Sequence, residues 1–264
     1  MSFELQLAAA SDADEMSHVM DKAFQNDRHT MVKDLLRTGA STAEGMRDAL
    51  LSWTNDSSRA TVIKAVEPLS DRILGWICWS HSDASAETSS DFHDDLEGEH
   101  GPDSLIQSYD ESPSLASLEE LERITNEDMA AWQAEVMPAG IQCWFIVAIA
   151  VLPEAQSQGI GSALISWGTS RADADGVFCW VHSSDEGHHA FQRAGFEELG
   201  SLTVNLDAYA PNPQQATGGP IVWGPYTFHR MRRPASTGLQ PDGEPETPFS
   251  APSSSHHHRG QRSS

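Results

Sequence analysis

The sequence predicts an α/β protein (α+β in order), with one mixed, twisted sheet of about six to seven strands flanked by helices. Three observations lead there. Residues 144–151, WFIVAIAV, form an apolar run of eight residues, and Val177–Val181 forms a second, as expected of parallel strands covered on both faces. Between them Ile160, Ala163, Leu164 and Trp167 recur at i, i+3, i+4 and i+7, a helical stripe that Gly176 can close. Strand, helix, strand in that order is a right-handed crossover unit. Around it, short strand-like runs and helical stripes alternate in a mixed order that one sheet can accommodate.

Taken in order, Phe3 to Leu7 alternates and reads as a first strand. Ser11 with Asp14 resembles a capping box, followed by a helical stripe of Met16, Val19, Met20, Ala23 and Phe24. A second helix is expected from Thr30 to Arg37, and a third from near Ser41, with Met46, Ala49, Leu50 and Trp53 on one face. Ala60–Val66 and Arg72–Ser80 read as strands joined across Pro68 and Ser70-Asp71, a hairpin signal. Leu118 to Met137 has helical period and stops at Pro138-Ala139-Gly140. Beyond the crossover unit come a short helix, Glu186 to Ala194, and strands over Glu198–Leu206 and Pro225–Met231. Their connector, Asp207 to Gly224, is rich in Pro and Gly. Residues 1–233 thus form one domain, and 234–264, with Ser, Pro, Gly and His256–His258, are expected to be a disordered tail. The three histidines could bind a metal adventitiously, and a tail remnant is the simpler reading.

At 264 residues and 39% hydrophobic content the chain can bury one good core. No apolar run approaches the ~20 residues of a membrane span. The acidic N-terminus lacks a signal-peptide pattern, so a cytoplasmic enzyme is expected. Cys78, Cys143 and Cys179 each sit in an apolar run and read as buried reduced thiols, with no metal-ligand spacing. The net charge of −23 is concentrated between Ser82 and Met129, where fifteen acids face one base, Arg123, a net −14. With its Ser, Gly, Pro102 and Pro113, the stretch 82–117 reads as a flexible acidic insertion. Such acidity argues against a nucleic-acid partner, whose phosphates need Lys and Arg. It suits a cationic substrate steered by the field, and equally a loop that only aids solubility.

The most informative stretch is Gln156-x-x-Gly159-x-Gly161, which opens the helix after the first apolar strand. A loop of backbone N–H groups continued by a helix N-terminus is an anion site, and glycines let a phosphate approach. A dinucleotide fingerprint would need a third glycine where Leu164 stands, and its glycines should follow the strand directly. A P-loop would need a Gly-Lys-Ser/Thr sequence, and no lysine is present here. A turn and helix without a ligand is the plain alternative.

This stretch resembles motif A of the GNAT acyltransferase superfamily, which grips the pyrophosphate of acetyl-CoA. Farther on, Gly195-Phe196 matches the family, while Ser184 stands where it has Asn and Phe191 where it has Tyr. Residues 142–205 resemble the coenzyme half of a GNAT domain, and the element order resembles the whole. The phrases 171–182 and 227–231 are similar to a GNAT-like subgroup without an assigned acceptor. The resemblance implies a sheet splayed at the coenzyme site, with pantetheine along Ile149, Ala150 and Val151. It implies pyrophosphate on Gln156, Ser157, Gln158, Gly159, Ile160, Gly161, Ser162 and Ala163, and coenzyme contacts from Ser184 and Phe191.

Acetyl-CoA is thereby the expected donor, with no metal and no membrane partner. The expected acceptor is the amine of a small molecule, attacked directly in a ternary complex, and the protein is a monomer or homodimer. Protein lysine or N-terminal acetylation is one alternative, and a catalytically silent acyl-CoA-binding module another. The silent reading is prompted by Phe145 at the position of a Glu base in some relatives and by Phe191 in place of a Tyr acid. The catalytic candidates are then His182, which can take a proton near neutral pH, and Ser184, which can hydrogen-bond the sulfur. A core histidine with a satisfied hydrogen bond and water-mediated deprotonation are the competing readings.

Overall fold

The two apolar runs become neighbouring strands: in a computed structural model, β4 (Cys143–Val151) lies parallel to β5 (Phe178–Ser183). The structure describes residues 2–37, 42–56, 58, 60–82, 113–210 and 223–236. The acidic stretch 83–112, most of the 207–224 connector and the tail from 237 lie outside the described residues.

Seven strands form one sheet in the order β1-β2-β3-β4-β5-β7-β6, with β1 (Glu4–Leu7), β2 (Ala60–Val66), β3 (Ile73–Ser82), β6 (Glu197–Asn205) and β7 (Pro225–Arg233) completing it. Only the β4–β5 pair is parallel. The described helices are α1 (Ala13–Phe24), α2 (Arg28–Leu36), α3 (Thr42–Asn55), α4 (Pro113–Val136), α5 (Ile160–Asp175) and α6 (His188–Arg193). The crossover through α5 is the unit expected from residues 144–182.

Two local features differ from expectation. Ser11 lies inside a 3-10 turn, Ala10–Asp12, and only half a box forms, two residues earlier, with the Asp12 carboxylate accepting from the Ala9 N–H at 2.8 Å. Asp14 instead pairs with Arg47 of α3, so tertiary charge pairing took the expected cap residue. The helix expected from Leu118 begins at Pro113, because proline fits a first helical turn and Pro113 starts a helix as readily as it ends a loop. Residues 113–117, expected within the insertion, belong to this helix.

The core is aromatic, and two of its tryptophans tie the sheet to helices by hydrogen bonds. Trp76 and Trp79 of β3 are buried, and their Nε1–H groups donate to the Met16 carbonyl of α1 (2.8 Å) and the Leu164 carbonyl of α5 (3.3 Å). One tryptophan thus anchors a helix on each face of the sheet. Helix α5 seats on Trp79 through Gly168, where a Cβ would come within 2.1 Å of the indole. Its buried stripe is Ile160, Leu164, Ile165, Gly168 and Ala172, rotated slightly from the expected one so that Trp167 is only partly covered.

Sheet pairing between β4 and β5 lasts only three residues, Cys143, Trp144 and Phe145 against Phe178, Cys179 and Trp180. At that root Phe145 stacks on Trp180 (4.9 Å between centroids, 13° between planes), and Trp132 and Val136 of α4 cover the pair. Beyond it, β4 follows β3 and β5 follows β7. A register shift at β4, where Trp79 pairs with Ile146 and Cys78 with Ala148, leaves Val147 as an extra residue that bends the strand away. All three cysteines are free and buried, and burial raises the pKa of each, that of Cys179 to about 12. They are packing thiols.

Candidate active site

The divergence of β4 from β5 opens a cavity of about 650 Å³ that reaches from the start of α5 to the end of α1. Ile149, Ala150 and Val151 line one wall, and Val181, His182, Ser183 and Ser184 line the facing one. The connector after β4 makes a 3-10 turn at Pro153–Ala155. Its shape is held by two glutamine side chains, Gln156 donating to the Val151 carbonyl (3.2 Å) and Gln158 to the Glu154 carbonyl (2.8 Å). Ser157 and Gly159 both have positive φ, 59° and 87°, which turns the chain sharply into α5.

Gly159 is the N-cap residue, and its carbonyl accepts the first helical bond from the Ala163 N–H at 2.9 Å. The amides of Ile160, Gly161 and Ser162 precede that bond, as at any helix start. Gly159 is demanded by its backbone. Gly161 is not: a Cβ there would meet only Val151 at 3.9 Å, an ordinary contact. Ser157, Gly159, Gly161 and Ser162 face the cavity with Gln156. Ile160 points into the core, and Gln158 and Ala163 are not among the lining residues. Phe191 is buried against Phe196 and presents one side to the cavity.

His182 and Ser184 both reach the cavity. His182 Nε2 lies 3.1 Å from Asp128 Oδ2, with both side chains more than nine-tenths buried. Since a carboxylate only accepts, Nε2 carries the proton and Nδ1 is the ring's basic nitrogen. Asp128 is also gripped by Arg230, whose pKa it raises by hydrogen bonding, and the His182 ring stacks on Phe228 (5.2 Å, 11°). Ser184 Oγ accepts from the Gly187 N–H at 3.3 Å and bonds the Tyr226 hydroxyl.

Tyr226 was not among the sequence candidates. It comes from β7, and its hydroxyl donates to Asp27 Oδ1 at 2.8 Å. Asp27, the N-cap of α2, also accepts from the Thr30 N–H (2.8 Å) and Thr30 Oγ1 (2.9 Å). Burial, then the Asp27 charge, hold the Tyr226 phenol well above its usual range, so it stays protonated. His29 packs edge-on against Phe228, and burial lowers its pKa to about 3, keeping it neutral. Its Nε2 is buried with no protein hydrogen-bond partner. A cap signal, Asp27-Arg28-His29-Thr30, was readable in the sequence. Nothing there linked it to Tyr226, 199 residues away.

Residues 124–198 match a family model described as the acetyltransferase (GNAT) domain. That span covers β4, the glycine connector, α5 and β5, which form the two facing walls of the cavity. No curated protein matches the sequence. Among solved structures, the chain is similar to arylalkylamine N-acetyltransferase 2 from Aedes aegypti, at 11% identity and a TM-score of 0.57, over 89% of this chain and 100% of that one. It is similar also to the Drosophila melanogaster polyamine N-acetyltransferase that forms N-acetylagmatine, at 12% identity and a TM-score of 0.55, over 88% and 100%. A mosquito arylalkylamine N-acetyltransferase-like protein, 5b, gives 12% and 0.55 over 88% and 100%. At such identities the likeness is one of fold. The segment 124–198 thus matches the GNAT acetyltransferase domain, and the fold around it is similar to that of these N-acetyltransferases.

Proposed function

We propose that the protein transfers an acetyl group from acetyl-CoA to the amine of a small, cationic molecule by direct attack in a ternary complex. The acetyl-CoA-dependent N-acetyltransferase kind is supported by the GNAT match over residues 124–198. The finer reading is carried by one observation: a single cavity joins the helix start at Gly161 to a buried carboxylate, Asp27.

In this reading the pyrophosphate rests on the amides around Ser157–Ser162, where the helix terminus favours negative charge. Gly161 supports the assignment, because the fold tolerates a Cβ there and only a ligand would object. Pantetheine runs along the edge of β4 that β5 has left, and a β4 amide holds the thioester oxygen as it becomes an oxyanion. The acceptor lies beyond the gap, among Phe24, His29, Tyr226 and Phe228. Asp27 accepts three hydrogen bonds of the about four a carboxylate can take, which leaves a place for an ammonium.

His182 Nδ1 takes a proton from that ammonium, with Asp128 fixing the tautomer. The neutral amine attacks the thioester carbon, the C–S bond breaks, and the proton shed by the nitrogen passes to the departing thiolate, with Ser184 at the cavity wall beside it. The cavity suits a small acceptor, because its 650 Å³ is shared between the coenzyme and the acceptor. A thiol-release assay with acetyl-CoA against polyamines, arylalkylamines, alcohols and peptides tests the reading. Turnover with small cationic amines is expected; turnover confined to peptides, or to none of them, overturns it.

A further inference from the structure

Behind the cavity wall, three side chains from three elements converge. His188 opens α6, Glu198 lies on β6 and His229 on β7. Glu198 Oε2 is 3.2 Å from His188 Nε2 and 3.0 Å from His229 Nδ1. The two imidazoles stack nearly parallel, with centroids 4.0 Å apart and planes 13° apart. Both are largely buried, with side-chain exposures of 14% and 12%; the His188 Nε2–Glu198 approach lacks hydrogen-bond geometry, and neither ring's Nε2 has a hydrogen-bond partner. None of the three takes part in the acyl transfer described above.

This arrangement is poor as a set of ordinary protein contacts. The stacked rings bury two ring nitrogens without a hydrogen-bond partner, which costs free energy. Neutral imidazoles with a carboxylate are, however, the ligand set of a borderline divalent cation. The spacing agrees. Ligands ~2.0–2.1 Å from a tetrahedral zinc stand about 3.3 Å from one another, close to the separations of Glu198 from each ring.

We propose that His188, Glu198 and His229 form a Zn²⁺-type divalent-cation site, with water as the fourth ligand, that pins α6 to the β6–β7 edge. His188 ligates through Nε2 and His229 through Nδ1, after the stacked rings open slightly so that both lone pairs meet the ion. Asp185 then acts as the supporting carboxylate: its Oδ1 lies 3.7 Å from His229 Nε2, and Arg28 holds its other oxygen at 3.1 Å. Such carboxylate–histidine–zinc arrangements set the histidine tautomer and raise its basicity. The site stands independently of the acetyl-transfer reading.

The test uses the full chain with His256–His258 replaced by Ala, so that the tail cannot supply ligands, stripped with a chelator. Calorimetry should find one Zn²⁺ per chain, and Co²⁺ should give the intense visible absorption of a tetrahedral site. Glu198→Gln and His229→Ala should each weaken Zn²⁺ by about 100-fold or more, at or above the ~10–100-fold typical of supporting residues, while His18→Ala leaves it unchanged. Bound Zn²⁺ should also raise the unfolding temperature of the parent and not of Glu198→Gln. Should His229→Ala fail to fold, Glu198→Gln decides alone, since Glu198 is a surface residue of β6. Absence of binding, or equal affinity in parent and Glu198→Gln, overturns the site.

Discussion

His182 shows how one residue's meaning depends on its neighbours. In the sequence it was a histidine ending an apolar strand; in the structure Asp128 bonds its Nε2 and Arg230 bonds Asp128. If it is the base, His182→Ala should lower kcat/KM by about 10²–10⁴-fold and leave acetyl-CoA affinity nearly intact. Asp128→Asn should act in the same direction, because an amide can donate to Nε2 and move the proton to the wrong nitrogen. A His182→Ala enzyme within about threefold of the parent, well under the usual general-base contribution, would make the dyad structural. His29 carries a prediction on stability. Its folded pKa of about 3 lies below the ordinary 6.5, so the unfolded chain binds the extra proton and stability falls as pH drops below 6.5. Between pH 7 and 5 the loss from this group is about 2 kcal/mol, and denaturant melts of His29→Gln should lack that component.

At the scale of elements, two glycines of α5 should behave oppositely. Gly168 is a packing residue: its Cβ would strike the Trp79 ring, so Gly168→Ala should cost about 1–3 kcal/mol, as overpacking does, despite alanine's better helix propensity. Gly161 faces the cavity, and Gly161→Val should melt close to the parent yet lose acetyl-CoA binding by calorimetry. Unchanged affinity in the folded variant would remove the coenzyme from this helix terminus. The splay rests on a similar division of labour. Phe145 occupies the place of a carboxylate base in some relatives because here it stacks on Trp180 at the root of the gap. A charge at that point would be buried among Trp132, Val136 and Cys143, without a partner.

For the whole molecule, the net charge of −23 and the carboxylates of Asp27 and Glu186 at the cavity should draw cations from a distance. With a polycationic acceptor, kcat/KM should fall several-fold, toward the lower end of the ~10–10³ range of electrostatic steering, as salt screens the field, while kcat stays level. A monovalent arylalkylamine should respond less; an equal salt response for both would assign the charge to solubility. The strand–helix–strand unit, the glycine turn and the mixed α/β class were legible in the chain, because apolar periodicity and glycine placement act over a few residues. Strand ends differed by two positions at most and the start of the helix at Pro113 by five, since local signals leave termini loosely defined. The surroundings of the cavity could not be read that way. Asp27 meets Tyr226 across 199 residues, Asp128 meets Arg230 across 102, and the His188–Glu198–His229 cluster joins three elements. Each pairing exists because sheet order places β7 between β5 and β6, a long-range fact that no local pattern encodes.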